Sequence, residues 1–186
     1  MTEVLILTGP PGAGKSTVAE ALAERYDRVA HIWVDGLRHF VTPTGYVAPD
    51  RPGYERQHML SIRNACSLAA NFIAERFAVI IDDVVITSDD LAHYVEGLKS
   101  VGTPVHFVRL MPSIEVCLAR NVERAEADRI QPKRLEVVYR QIEVASGFGA
   151  TIDSSDLTPY ETADKLQALT TSGASLVWRP EAVAQP

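Results

Sequence analysis

Short apolar runs alternate with longer amphipathic stretches along most of the chain. The apolar runs predict buried strands at 4–8, 29–34, 78–81, 105–110 and 151–152. The amphipathic stretches predict helices at 15–26, 37–41, 54–77, 88–100, from 113, at 132–146 and at 158–169. Residues 42–53 contain three prolines and two glycines, which predicts a loop or flap. This alternation is typical of an α/β fold with a five-stranded parallel sheet and helices on both of its faces.

Chemistry is expected just after the strands, because ligands of such sheets bind beyond the carboxyl ends of the strands. These ends carry residues 9–17, Asp35, Asp82 with Asp83, 111–112 and 153–155. Four of these places hold a carboxylate or a glycine-rich segment, and they are therefore the first candidates for a site.

The first segment, Gly-Pro-Pro-Gly-Ala-Gly-Lys-Ser-Thr at 9–17, matches the pattern GxxxxGK[ST]. This pattern wraps backbone N–H groups around phosphate oxygens at the N-terminus of a helix. The two prolines have no N–H, so the cradle is expected from the residues that follow them: Gly12, Ala13, Gly14, Lys15, Ser16 and Thr17. The Lys15 side chain is expected to reach the β- and γ-phosphates, and the Ser16 hydroxyl to bind Mg²⁺. A glycine-rich turn before an ordinary helix is the alternative, but the pattern arises by chance in only about one chain in a hundred of this length.

Carboxylates follow the third and second predicted strands. Asp82 and Asp83 end an apolar strand, where a carboxylate can hold Mg²⁺ opposite the Ser16 hydroxyl. Adjacent strand residues point to opposite faces, so one of the two is expected to face the metal, and Asp82 is favoured. Asp35 ends the second predicted strand, where it is a candidate to accept a proton from an attacking hydroxyl. The alternative for Asp35 is an N-cap of the turn at Gly36.

An arginine-rich helix follows the fourth predicted strand. Arg120 and Arg124 are spaced i and i+4 on one face, and Arg129 follows. A guanidinium can stack on a base or clamp phosphates, so these arginines are candidates for nucleotide binding and for stabilising charge during transfer. The alternative is a solvated surface, because Glu123 and Glu126 are interleaved with them.

Composition limits the function classes. With 186 residues and 46% hydrophobic residues, the chain is expected to form one domain at 1–172 with a tail at 173–186. A net charge of −6 predicts poor sequence-independent binding of nucleic acid. No membrane span and no secretory signal are expected. The two cysteines, Cys66 and Cys117, are predicted to be buried free thiols of a cytoplasmic protein.

The order of these motifs resembles the P-loop small-molecule kinases, most closely the chloramphenicol phosphotransferase-type proteins. The residues that carry the resemblance are GPPGAGKST, Val34 with Asp35, 80–84, the lid run Ala-Asp128-Arg129, and 152–159. The resemblance implies a sheet ordered 2-3-1-4-5, a helical lid at about 113–147, and ATP- and Mg²⁺-dependent phosphoryl transfer to a hydroxyl of a small molecule. It also implies that Asp35 is the base and that 152–159, including Ser154, is a loop on the adenine side of the nucleotide. Arg120 would contact the nucleotide, while Arg124 and Arg129 would act with Lys15 in catalysis.

Other functions remain open at the level of sequence. A nucleoside or nucleotide kinase would need a residue that stacks on the acceptor base, such as Tyr46 or Tyr54. A nucleotide-binding regulator or slow NTPase without an acceptor would not need Asp35. A polynucleotide 5′-kinase is disfavoured by the acidic charge. The flap residues match no known acceptor pocket.

Overall fold

Five parallel strands form the centre of the molecule, in a computed structural model that describes residues 2–42, 45–126, 129–145 and 148–181. The strands are β1 (Val4–Thr8), β2 (Val29–Trp33), β3 (Ala78–Asp82), β4 (Val105–Leu110) and β5 (Ala150–Ile152). The helices are α1 (Lys15–Ala23), α2 (Val34–His39), α3 (Tyr54–Ala74), α4 (Ser88–Leu98), α5 (Ile114–Glu123), α6 (Pro132–Val144) and α7 (Pro159–Ser172). The predicted α/β architecture is confirmed.

The strand order is β2-β3-β1-β4-β5, as the resemblance implied. All five residues of β1 are buried, because β1 lies at the centre between β3 and β4. This central position explains why β1 is apolar on both faces rather than alternating. It also places the segment after β1 in the middle of the carboxyl edge of the sheet.

A sixth strand, β6 (Leu176–Trp178), was not predicted. It pairs antiparallel with β4, with Val105 opposite Trp178 and His106 opposite Leu176. β6 lies in the stretch that the sequence predicted as a tail, and three residues with so little periodicity give no strand signal of their own.

Each face of the sheet is covered by its own pair of helices. Ile6, Ile81 and Phe107 belong to the core on the side of α3 and α4, and Leu5 and Val108 belong to the core on the side of α1 and α7. Both thiols are buried and unpaired as predicted. Burial raises the pKa of Cys66 to about 12 and that of Cys117 to about 11, so both stay protonated at neutral pH.

The second strand ends earlier than predicted. β2 stops at Trp33 and α2 begins at Val34, so Asp35 lies in the first turn of a helix rather than at a strand end. The first-turn carboxylate is paired with Arg38 one turn later, which favours helix here although Gly36 is a poor helix former. Within the described ranges, no helix is both long and apolar enough to cross a membrane.

Candidate active site

The glycine-rich loop between β1 and α1 is shaped by contact with α5. Gly12 has a φ of +81°, and a Cβ built on it would lie 2.4 Å from the backbone oxygen of Cys117. A side chain at this position is therefore excluded both by backbone conformation and by space. Gly14 is the N-cap residue of α1 and also has a left-handed φ, of 90°. The loop thus presents its backbone at the start of α1, where anions bind to helix N-termini.

The cation and the hydroxyl of the motif lie on this loop. Lys15 Nζ donates a hydrogen bond to the backbone oxygen of Gly9 at 3.0 Å and lies 3.5 Å from that of Pro10. Ser16 Oγ donates to Asp82 Oδ2 at 2.6 Å, and Asp82 is 2% exposed. The loop after β1 and the end of β3 therefore meet through one short hydrogen bond.

This pair fits a magnesium ion. A hydroxyl and a carboxylate are the hard oxygen donors that Mg²⁺ takes from proteins, alongside phosphate and water. Burial alone would raise the pKa of Asp82, but His31, the charge of Lys15 and the Ser16 hydrogen bond outweigh it and hold the pKa below its usual value. Asp82 is therefore ionised and able to attract a cation at neutral pH.

Asp83 belongs to a different group of residues from Asp82. Its Oδ1 accepts hydrogen bonds from Arg38 Nη2 at 3.2 Å and from the Val84 backbone at 2.8 Å, and its Oδ2 accepts from Tyr94 at 2.7 Å. Burial raises the pKa of Asp83, while Arg38 and Tyr94 oppose that shift. The structure thus brings Ser16 to Asp82 and commits both oxygens of Asp83 elsewhere.

Asp35 lies in the first turn of α2, and its side chain is 46% exposed. Arg38 Nη1 donates to Asp35 Oδ1 at 3.0 Å, so this carboxylate is held at one oxygen. The N-cap residue of α2 is Trp33, and no side-chain cap hydrogen bond is formed there. Asp35 is therefore not placed as the cap that the alternative interpretation requires.

Arg38 was not among the residues that the sequence predicted for the site. It is 5% exposed, and besides the two aspartates it contacts Ser61 Oγ at 3.3 Å and His58 Nδ1 at 3.0 Å. An arginine only donates, so His58 Nδ1 accepts and His58 Nε2 carries the proton given to Asp90 at 2.8 Å. The spacing of Arg38 three residues after Asp35 was the available signal.

A cavity of about 220 Å³ adjoins the loop on the side of α7. Its lining comes from three parts of the chain: Ala13, Gly14, Thr17, Val18, Arg120, Ser154, Leu157, Pro159 and Thr162. Arg120 Nη1 donates to the backbone oxygen of Ala13 at 3.3 Å, which fixes the guanidinium at the cavity. Among the described residues, Ser154 Oγ is buried without a hydrogen-bond partner. Arg120 and Ser154, predicted from separate segments, therefore line one cavity.

The predicted lid contains α5 and α6. Arg124 and Arg129 lie exposed after α5, where Arg129 Nε donates to the backbone oxygen of Arg124 at 2.9 Å. Asn121, which the sequence did not single out, bonds the backbone of Ile130 through both ends of its amide, at 2.8 and 3.1 Å. Asp128, part of the predicted lid run, lies outside the described residues.

The flap packs against α3 and touches the lid. Gln57 holds it by donating to the Gly45 oxygen and accepting from the Val47 amide, each at 2.7 Å. Tyr46 lies between these anchors, with Arg38 5.9 Å from its ring centre and its hydroxyl 3.4 Å from Arg134 of α6. The flap is thus connected to Arg38 on one side and to the lid on the other.

Residues 4–147 match a family model described as an AAA domain. No curated protein sequence matches the chain. A gluconokinase from Sinorhizobium meliloti 1021 is structurally similar, with a TM-score of 0.66, 18% identity, and coverage of 92% of this chain and 93% of that one. The Mycobacterium tuberculosis APS kinase CysC, solved with AMPPNP and APS, is also similar. Its TM-score is 0.66 and its identity 16%, with coverage of 91% of this chain and 98% of that one. A chain of the Pnkp1/Rnl/Hen1 RNA repair complex has a TM-score of 0.61 and 24% identity. The match covers 77% of this chain but only 45% of that longer chain. These likenesses show the P-loop kinase fold.

Proposed function

The chain belongs to the AAA domain family, and from that premise we propose that it is an ATP-dependent phosphotransferase that moves the γ-phosphoryl group to a hydroxyl of a small molecule. One observation carries the proposal. The loop hydroxyl of Ser16 is bonded to Asp82, while Arg38, which bonds the neighbouring Asp83, holds the half-exposed carboxylate of Asp35 at one oxygen. A phosphate-binding loop together with a solvent-accessible carboxylate is what transfer to an alcohol requires.

In the proposed reaction, Asp35 accepts the proton of the acceptor hydroxyl through its second oxygen, Oδ2. The acceptor oxygen forms a bond to the γ-phosphorus while the bond from that phosphorus to the bridging oxygen of ADP breaks. The bonding electrons stay with ADP. Lys15 stabilises the charge on the phosphate oxygens, and Arg124 and Arg129 do so when the lid closes.

Arg38 positions the proposed base. Because Arg38 is itself held by Asp83, His58 and Ser61, its Nη1 offers Asp35 a fixed donor. The fixed donor holds one carboxylate oxygen and leaves the other to face the acceptor. Ser16 and Asp82 would hold Mg²⁺, which when bound neutralises phosphate charge.

The nucleotide base is proposed to occupy the cavity beside the loop. Arg120 offers a planar guanidinium on which a base can stack. Ser154 offers a buried hydroxyl with no partner among the described residues, and a buried polar group of this kind costs free energy until a ligand bonds it. The nearby segment 12–17 would bind the phosphates of the same molecule.

The decisive experiment measures ADP release with a panel of hydroxyl compounds, each compared with the rate without an acceptor. We expect at least one compound to raise the rate well above that background. Hydrolysis that no compound accelerates would instead support the slow NTPase or the nucleotide-binding regulator.

The acceptor proposed is a small molecule rather than a polynucleotide, although one structural neighbour belongs to an RNA repair complex. The net charge of −6 disfavours a phosphate-backbone substrate. A nucleotide acceptor is the second candidate. Of its two proposed stacking residues, Tyr54 already stacks one face of its ring on His58, with ring centroids 5.5 Å apart. The specificity of the chloramphenicol phosphotransferase-type proteins and a cytoplasmic location stay predictions.

A further inference from the structure

A tryptophan is exposed beside the proposed base. Trp33 ends β2, precedes α2, and is 55% exposed. β2 is the edge strand of the sheet, so only β3 flanks it within the described sheet. A large apolar side chain left in water at this position forgoes the free energy that burial would give.

The indole ring is seated on a glycine. A Cβ built on Gly36 would lie 2.8 Å from Trp33 Cε3 and 3.2 Å from Cζ3. Glycine stabilises a helix less than alanine does, and Gly36 stands in the first turn of α2. The helix therefore contains its least suitable non-proline residue at the one place where the ring needs space. Such a departure from local preference is typical of functional positions.

The ring lies on the side of the sheet that carries the nucleotide loop. In the register of β2 with β3, Trp33 is opposite Asp82, and paired residues of parallel strands point to the same face. Asp82 accepts from Ser16 on that face. Asp35 follows Trp33 by two residues. Trp33 is thus the strand neighbour of one proposed metal ligand, Asp82, and lies close in sequence to the proposed base.

We propose that Trp33 is a specificity-determining residue, on which the acceptor stacks a flat ring. This inference rests on the proposed function and adds the substrate class, an alcohol carried on a ring with an apolar face. An exposed indole offers a large rigid face to such a ring, and an aromatic pair gains free energy beyond that of its buried area. An acyclic polyol has no flat face to stack and is a poor acceptor.

The binding test uses Trp33 fluorescence. The chain has two tryptophans, so the variant Trp178→Phe leaves Trp33 as the only indole emitter. The probes are 2-phenylethanol, methyl β-glucopyranoside and glycerol, each titrated in the presence of Mg²⁺ and a non-hydrolysable ATP analogue. We expect saturable quenching with at least one of the two ring probes, which shows whether the ring is aromatic or a sugar, and none with glycerol. Equal responses to all three, or no response to either ring probe, would overturn the inference.

The kinetic test uses the best acceptor of the hydroxyl panel. Trp33→Ala should raise its KM at least tenfold with the KM for ATP unchanged, and Trp33→Phe should recover most of the loss. Gly36→Ala should also raise the acceptor KM, because its Cβ displaces the ring. Phe40→Ala is the matched control, since Phe40 is 80% exposed at the other end of α2 and should leave the KM unchanged.

The failures of the two proposals are distinguishable. If calorimetry detects no binding of ATP with Mg²⁺, the proposed function fails. If ATP binds but the preferred acceptor is acyclic, or its KM is the same in Trp33→Ala, only the stacking inference fails. A change from dimer to monomer in Trp33→Ala, with the acceptor KM unchanged, would also overturn it and make this face a contact between copies of the chain.

Discussion

At the scale of single residues, the site depends on which of two neighbouring carboxylates each donor bonds. Ser16 and Arg38 each contact a carboxylate at the end of β3, but Ser16 bonds Asp82 and Arg38 bonds Asp83. Adjacent residues at a strand end point to opposite faces, so two neighbouring aspartates serve two different networks. The first network faces the nucleotide loop, and the second supports Asp35 through Arg38.

Lys15→Ala should abolish most of the transfer activity. If the lysine resembles other preorganised donors, its loss costs about 3–4 kcal/mol of transition-state stabilisation. The fold should be retained, because within the described residues the Lys15 ammonium bonds backbone oxygens of its own loop. The measurements are kcat/KM with the best acceptor and the thermal midpoint. Near wild-type turnover would contradict the assignment of the loop.

Asp35→Asn should lower transfer by about 10²–10⁴-fold, the usual range for loss of a general base. ATP affinity should change little, because Asp35 contacts Arg38 and none of the loop residues 9–17. The measurements are kcat and the Kd for ATP. Asp89→Asn is the control, since Asp89 is an exposed aspartate in the first turn of α4. Normal turnover in Asp35→Asn would mean that another group accepts the proton.

At the scale of elements, hydrogen bonds link α5 to the residues that lead into α6. Asn121 bonds the backbone of Ile130 at both ends of its amide, so the end of α5 is tied to the residues that lead into α6. Leu135 and Ile142 of α6 are fully buried, whereas Arg124 and Arg129 are exposed. The cations proposed to meet the phosphates are thus on the solvent side of a packed pair of helices.

Amide hydrogen exchange across 113–147 should slow when ATP and Mg²⁺ are added. Contacts between the lid arginines and the phosphates would reduce local opening of the segment. Exchange in β1 should change little, because β1 is already fully buried at the centre of the sheet. Equal exchange across 113–147 with and without nucleotide would show that the segment is not a lid.

Protonation of Asp90, at the start of α4, should make the protein less stable in acid. Asp90 accepts from His58 at 2.8 Å and from the Thr87 amide at 3.2 Å. Burial raises the pKa of Asp90, but the bonds from His58 and Thr87 outweigh it and lower the pKa overall. A lowered pKa stabilises the fold above the ordinary value of about 4, and this stabilisation is lost as pH falls through the lower folded-state pKa.

Asp90→Asn should therefore destabilise the fold at pH 7 by about 1 kcal/mol, the size of one net hydrogen bond. The difference from the parent chain should shrink below pH 4. The measurement is the urea midpoint at several pH values, with Asp89→Asn as the control. A difference that stays constant down to pH 2.5 would contradict this assignment.

At the scale of the whole molecule, β6 completes the sheet from the far end of the chain. The Phe107 amide donates to the Ser175 oxygen at 2.8 Å, and His106 Nδ1 lies 3.0 Å from Ser175 Oγ. Trp178 packs against the core on the side of α3 and α4. Residues beyond α7 therefore satisfy backbone groups in the first half of β4.

A chain that ends at Gly173 should be clearly less stable than the full chain. Removal of the residues after Gly173 leaves the Phe107 amide without its acceptor, Ser175. An unsatisfied buried backbone group costs about 1–3 kcal/mol. The loss of Trp178 from the core adds to this. The measurement is the urea midpoint, and a chain that ends at Glu181 is the control because it keeps β6. Equal midpoints for the two truncated chains would show that β6 does not stabilise the fold.

The sequence by itself determined the architecture and the nucleotide loop. Strand and helix periods are local, so the alternation was readable, and residues 9–17 carry their function in a contiguous pattern. Arg120 was singled out by its spacing on a helix face and Ser154 through the resemblance, and the structure places both at one cavity. Because neighbours on a strand face opposite ways, the sequence predicted that one of Asp82 and Asp83 faces the metal, and in the structure it is Asp82 that Ser16 bonds.

Only the tertiary structure decided the partners of these residues. Arg38 meets Asp83 across 45 positions of the chain, and no local pattern encodes a contact of that range. β6 forms because β4 offers it unpaired backbone groups, not because three residues prefer a strand. The contact between the Trp33 ring and Gly36 also depends on packing. The sequence shows the two residues but not that the ring lies against the helix. Local preferences determine elements, whereas the register and packing of distant elements determine which side chains share a site.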